Sequence, residues 1–283
     1  MSRFTRGWEI GQQSFSIIRA NKKLLIYPLI SIIVCMLLLL LIAMPLWHLE
    51  LNYWQTGQSN FSKNMIVILL FLGILYLCNF VIAFCNVAFM ASIMAYFDQR
   101  PATVAEGFRV AKSRFWAIMG WSFISSTFGA TIRLVGSQLN NLAFVAAIFA
   151  GITWTIISYF VIPVIILEKI GPIKAIKRSS QWLQKTWGTS LTANFNLGIL
   201  FLIPRLLVLL PLLIGFYLPN TDAALLGSSI TAILLILLYM FSNGLHNILR
   251  CVLYHYATTG KSPPSCNPAL LQTAFRTRSP MKN

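Results

Sequence analysis

The sequence predicts an all-α, polytopic membrane bundle: six transmembrane helices arranged as three hairpins, each preceded by a basic amphipathic surface helix. Three observations carry that expectation. Apolar residues make up 57% of the chain and charged residues only 10%, against roughly 45–50% and about 25% in soluble domains, whose surfaces need the charge for solvation. Six apolar stretches are each long enough to cross a hydrocarbon core of about 30 Å, which takes roughly 20 helical residues. The basic residues, finally, fall almost wholly on one side of those stretches.

The elements follow in order. Ahead of the first span, Trp8, Gly11, Phe15 and Ile18 recur at helical spacing, and Arg19, Lys22 and Lys23 close the segment. Span one, Leu24 to Leu46, is longer than the roughly 7–15-residue core of a secretory signal and ends without a small-x-small cleavage site, so it is read as retained. Span two, Met65 to Tyr96, exceeds one straight crossing and either tilts or runs on into the interface.

A second surface helix carries Val104, Phe108, Ala111 and Phe115 on one face, Arg109, Lys112 and Arg114 as its charge, and Thr103 with Glu106 as a capping-box pattern. Spans three and four, Trp116 to Leu139 and Leu142 to Leu167, are separated only by Asn140 and Asn141 and form a tight hairpin. Stripes of small residues, Ser122, Ser126 and Gly129 on one helix and Ala143, Ala147 and Gly151 on the other, are expected to pack together.

The third surface helix, GPIKAIKRSSQWLQKTWG at 171–188, places Ile173, Ile176, Ser180, Leu183 and Trp187 on an apolar face. Lys174, Lys177, Arg178, Gln181 and Lys185 fall elsewhere. Gly171-Pro172 suits its entry and Gly188 its exit, and it reads as a helix lying in the membrane surface. Spans five and six run from Leu191 to Leu218 and from Ala223 to Leu245. The organisation is a single integral membrane domain over 1–260, built of repeat units at 1–96, 97–168 and 169–260, with a loosely ordered cytoplasmic tail at 261–283.

Orientation rests on Lys and Arg. Of the 22 in the chain, all but Lys63, Arg133 and Arg205 lie in segments on one side, whereas the opposite loops hold only Lys63 with the acids Glu50 and Asp222. Both termini are therefore expected in the cytoplasm of a bacterial or archaeal cell, across its inner membrane. The net charge of +16 is spread over every cytoplasmic segment rather than gathered on one domain. That excludes nucleic acid as the expected partner and favours anionic lipid headgroups, with Lys174, Lys177, Arg178, Lys185, Arg109 and Lys112 as the membrane-surface residues. No protein partner can be named from the sequence.

Catalytic chemistry is not expected. The acids Glu9, Glu50, Asp98, Glu106, Glu168 and Asp222 lie outside the span centres, and His48, His246 and His255 enter no HExxH motif, paired-Asp motif or Ser-His-Asp arrangement. Nor is a metal or other cofactor. Cys35, Cys78, Cys85, Cys251 and Cys266 show no CxxC spacing, and Cys78 and Cys85, about 10 Å apart along one helix, cannot bridge.

The candidate ligand or lipid-phosphate residues are Arg133, Arg205, Asn79, Asn86 and Arg250. Arg133 lies about 25 Å along its span from Trp116 and reaches the outer headgroups by snorkelling. Arg205 falls near mid-membrane when counted from Leu197 and at the outer boundary when counted from Trp187. If deep, it needs Asn79, Asn86, a carbonyl freed by Pro204, water or a phosphate as partner. Asn243, His246, Asn247 and Arg250, with His255 beyond them, gather polar groups where span six ends. The functional expectation is a module that binds or translocates a lipid or small amphiphile, with kinks at Pro204 and Pro211 exposing backbone to the ligand. The alternative is a non-catalytic structural or assembly partner of other membrane proteins.

The run 79–86 (NFVIAFCN), Gly120-Trp121, Phe160-Val161-Ile162-Pro163, the run 171–179 (GPIKAIKRS), Thr186-Trp187-Gly188 and the ending 253–260 (LYHYATTG) together resemble a family of multi-pass prokaryotic membrane proteins known only as a domain of unknown function. The resemblance runs from Gly7-Trp8 to about Phe275. It implies a six-span integral membrane protein and supplies no substrate, cofactor or catalytic residue. A looser likeness, in layout alone, exists to the membrane portions attached to some glycerophosphodiester phosphodiesterases.

Overall fold

The computed structural model describes residues 15, 17–19, 21–56, 61–101, 103–138, 141–184, 201–218 and 221–263. For 42, 44–56, 61–64, 67, 68, 133–138 and 141–143 it describes the backbone alone. All the regular structure among them is helical. A 3₁₀ turn at Lys22–Leu25 leads into α1 (Ile26–Thr56), followed by α2 (Phe61–Phe97), α3 (Val104–Ser113), α4 (Phe115–Gln138), α5 (Asn141–Ile157), α6 (Val161–Leu167), α7 (172–184), α8 (Leu202–Leu207), α9 (Leu210–Tyr217) and α10 (Thr221–Thr259).

Four segments among the described residues are long and apolar enough to cross a membrane: Lys22–Leu41, Leu69–Phe97, Phe144–Leu167 and Thr221–Thr259. Their outward surfaces are apolar, as lipid contact requires. Leu37, Leu40 and Leu41 on α1 and Leu225, Leu226 and Ile233 on α10 are all exposed. Leu202–Tyr217 is a shorter apolar helical stretch. Along α4, Ser122, Ser125, Ser126, Thr127 and Thr131 dilute the apolar character, and this helix is not among the four.

The chain divides into two compact units. One comprises Met1–Pro28, Phe89–Val104 and Gln181–Asn283, the other Leu29–Ala88 and Ala105–Ser180. In the second unit the apolar stripe of α3 faces α2: Phe108 stacks on Phe84 with centroids 6.2 Å apart, and Phe115, just beyond α3, meets Phe80 edge to face at 5.3 Å. Helices α4 and α5 pack against each other as the hairpin predicts. The contact differs from the expected one, because a Cβ added at Gly129 or Gly151 would meet nothing within 4 Å. Aromatic rings join the two helices instead: Trp154 stacks on Phe128 at 4.0 Å and on Trp121 at 5.8 Å. Broad planar rings cover more area than small side chains and hold the helices at a wider spacing.

In the first unit the close approach falls where the sequence reading did not look for it. A Cβ on Gly215 would lie 2.6 Å from the Ala223 carbonyl oxygen, and one on Gly227 would collide with the carbonyl oxygen of Pro211, so α9 and α10 touch backbone to backbone. At its other end, α10 lets Ile18 approach over Gly244. Tyr27, wholly buried, donates its hydroxyl to the Val104 carbonyl at 3.2 Å and shares a 2.6 Å hydrogen bond with the buried hydroxyl of Ser92. This ties the start of α1 to the end of α2 and to the loop that follows.

Helix α2 stops in a Schellman turn. The Arg100 N–H donates to the Ala95 carbonyl and the Gln99 N–H to that of Tyr96, with Gln99 left-handed at φ 57° and Pro101 next. Gln99 is exposed and makes no use of its side chain there that glycine would forfeit. Gln99→Gly is therefore expected to raise stability by about 0.5–1 kcal/mol, read as a higher melting temperature in detergent. Gly227→Leu should do the reverse, through collision with backbone that cannot yield, and lower it by roughly 1–3 kcal/mol or abolish recovery of monodisperse protein.

Candidate functional site

Helix α10 carries the richest polar face among the described residues. Ser242, Asn243, His246, Asn247 and Arg250 lie three to four residues apart over its second half. The His246 Nδ1–H donates to the Ser242 carbonyl at 2.7 Å; a carbonyl only accepts, so this bond fixes the proton on Nδ1. Asn247, buried, reaches towards Oδ1 of Asn243 at 3.5 Å. The ring of Phe201, at the start of α8, lies against the His246 ring at 6.4 Å. Arg205 lies one turn beyond Phe201 on α8 and Arg250 one turn beyond His246 on α10, and because these helices run antiparallel the two arginines stand to opposite sides of the ring along the helix axis. Arg205 is exposed and enters none of the three ion pairs among the described residues.

Two of the predicted ligand residues, Arg205 and Arg250, thus flank the Phe201–His246 contact, one turn to either side of it. Asn79 is engaged elsewhere: its amide donates to the Ser126 hydroxyl at 2.8 Å, a polar bond between α2 and α4. Asn86 is half-buried on α2. The side chain of Arg133 lies outside the described residues, as does Lys185.

Of the surface lysines and arginines, Lys174, Lys177 and Lys112 are exposed. Arg109 pairs with Glu106 on its own helix, and Arg178 pairs with Glu168, its Nε–H donating to the carboxylate oxygens at 2.8 and 3.1 Å.

The inward face of α7 is rotated from the one its apolar spacing suggests. Ala175, Ser179 and Leu183 are buried, whereas Ile173 is 75% exposed. The reason lies in the break between α5 and α6. Residues 158–160 leave the α-helical path, and the ladder there needs a substitute donor and acceptor. Ser179 supplies both: its hydroxyl donates to the Ile157 carbonyl at 2.6 Å and accepts from the Phe160 N–H at 3.0 Å.

Nearby, a Cβ at Gly120 would come within 3.1 Å of Pro172 Cγ, so the absence of a side chain there admits the first turn of α7. The short motifs 120–121, 160–163 and 171–179 therefore meet in one structural junction. Sequence reasoning missed Ser179 because it followed the large apolar residues Ile173 and Ile176 to a face that takes in Ser180; the signal was the line of small residues Ala175 and Ser179, one turn apart.

Among the described residues no three His, Cys, Asp or Glu side chains gather where a metal ion could sit. Cys35, Cys78, Cys85 and Cys251 are free thiols.

Ser179→Ala would orphan a buried carbonyl and a buried N–H together. It should destabilise the protein by roughly 2–4 kcal/mol, read by thermal unfolding in detergent, whereas Ser180→Ala, one residue along and turned from the break, should stay within about 0.5 kcal/mol of the parent.

No curated protein and no solved structure matches the chain. A family model does, over residues 62–264, which takes in α2 to α10 and with them the α5–α6 junction and the polar face of α10. The chain belongs to that family, described as a family of unknown function (DUF6159).

Proposed function

We propose that the protein is a six-span integral membrane protein of the prokaryotic inner membrane that binds, and in binding positions for movement, an anionic lipid headgroup or small amphiphile at the cationic face formed by Arg205, His246 and Arg250. The observation that carries this reading is the seating of Phe201 on His246, which sets Arg205 and Arg250 on either side of one imidazole. An anion beside the imidazole accepts charge-assisted hydrogen bonds from a guanidinium on either side of it.

Depth supports the same reading. His246 lies 25 residues beyond Thr221, or about 37 Å along α10, which exceeds a hydrocarbon core of about 30 Å. With Thr221 and Asp222 at the outer surface, His246 reaches the cytoplasmic headgroups, and Arg205, 16 residues before Thr221 or about 24 Å along its span, lies one turn deeper and reaches them by snorkelling. The guanidinium then faces phosphates instead of acyl chains.

In this arrangement the spans are α1, α2, α4, α5 with α6, the span ending in α9, and α10, paired as three hairpins. Helices α3 and α7 lie along the cytoplasmic surface. The three repeat units and the cytoplasmic placement of both termini belong to the same proposal, supported by the distribution of Lys and Arg.

Mass spectrometry of lipid and solute copurifying from the native membrane tests the function, with wild type beside Arg205→Leu and Arg250→Gln. An anionic species retained by wild type should fall about tenfold in either variant, the effect of losing one charge-assisted contact. Equal retention in all three would overturn the site. A stoichiometric protein and no such anion would establish the assembly-partner reading instead. A reporter active only outside the cytoplasm should be active when inserted at 57–60 or 219–220 and silent when fused after Gly260; activity after Gly260 would reverse the topology.

A further inference from the structure

A pocket of about 370 Å³ opens beside the start of α1, within the size range of small-molecule sites. Its wall is apolar: Phe15, Ile18 and Leu25 from the leading segment and Phe241 from α10. Phe15 lies against Phe241 with ring centroids 5.9 Å apart. Two cations, Arg19 and Lys22, complete the lining. Both are exposed, and neither joins an ion pair among the described residues, where Asp98, Glu106 and Glu168 are matched to arginines elsewhere.

We infer that this pocket holds an anionic phospholipid of the surrounding leaflet, one acyl chain against Phe15, Ile18, Leu25 and Phe241 and its phosphate on Arg19 and Lys22. An apolar recess of this size left to water would cost the free energy of its exposed rings and methyls, and an acyl chain removes that cost. The two cations select what accompanies the chain, because a phosphate between them gains charge-assisted hydrogen bonds that a zwitterionic headgroup partly cancels with its own ammonium.

The level fits as well. Phe241 is the last apolar residue of α10 before Ser242 and Asn243, so the pocket straddles the change from hydrocarbon to headgroup that a phospholipid itself makes. A contrasting recess of about 350 Å³ on α2, lined by Ile66, Leu70 and Leu77 among other apolar residues, has no charge and no reason to distinguish headgroups. The pocket shares no residue with the Arg205 face and stands whether or not that face binds an anion.

The test uses the full chain in nanodiscs with phosphatidylglycerol carrying a photoactivatable diazirine on one acyl chain, the same label on phosphatidylcholine, and peptide mapping of the adducts. Phosphatidylglycerol should label the 15–25 segment and the Phe241 region at least fivefold more than phosphatidylcholine does, while the 66–77 face labels equally with both.

The Arg19→Gln/Lys22→Gln double variant, which alters only exposed side chains, should abolish the preference. Phe15→Ala, at a ring 45% exposed, should lower the adduct yield by itself, and Arg205→Leu should leave both intact. Equal labelling by the two lipids, no adduct in the pocket, or a preference untouched by the double variant would each overturn the proposal. So would a preference lost in Arg205→Leu, since the lipid would then belong to the Arg205 face.

Discussion

A break in a helix packed inside a protein must be repaired by the protein itself, because buried N–H and C=O groups freed there have no water to turn to. The Ser179 hydroxyl answers that constraint where α5 gives way to α6, donating to one side of the gap and accepting from the other. Its position dictates much around it. Helix α7 must turn Ala175, Ser179 and Leu183 inward, which leaves Ile173 outside. Pro172 must then lie over α4, where a glycine is needed at 120. Arg178, one residue before Ser179, is brought within reach of Glu168 at the end of α6 and closes the junction from the exposed side. A single hydroxyl thus joins α7 to the break between α5 and α6.

The coarse architecture was legible in the sequence because it depends on sums over long windows. Apolar composition and run length identify a membrane protein without any knowledge of which side chains touch. The finer packing depends on geometry that windows average away. The small residues of α4 and α5 read as a close-contact stripe, yet Trp121, Phe128 and Trp154 make the hairpin contact, since stacked rings bury more area at a wider helix spacing.

Gly215 and Gly227 looked unremarkable in sequence, separated as they are by a turn and a change of helix, yet there two backbones meet. Ser179 was hidden for a related reason. Its role is set by a departure from the helical path at 158–160, in a segment that reads as one continuous apolar span.

The candidate site was legible only in part. The polar face of α10 follows from residues three and four apart on one helix, and that spacing is visible in the sequence. The addition of Arg205 depends on the register between α8 and α10, which the Gly215–Gly227 contact and the Phe201–His246 contact set together. No count along the chain yields that register. Asn79, named from the sequence as a partner for Arg205, has its own partner in Ser126 on α4.

Two cationic places remain, and they differ in what they ask of a ligand. At the Arg205 face the charges flank an imidazole whose Nδ1 proton is fixed by the Ser242 carbonyl, so the neutral ring's remaining nitrogen is an acceptor. At the pocket beside α1, Arg19 and Lys22 border an apolar wall that contributes more as a bound chain lengthens. That suits a lipid that stays. The two proposals, a lipid at one place and an anion at the other, are compatible within one molecule, because no residue serves both.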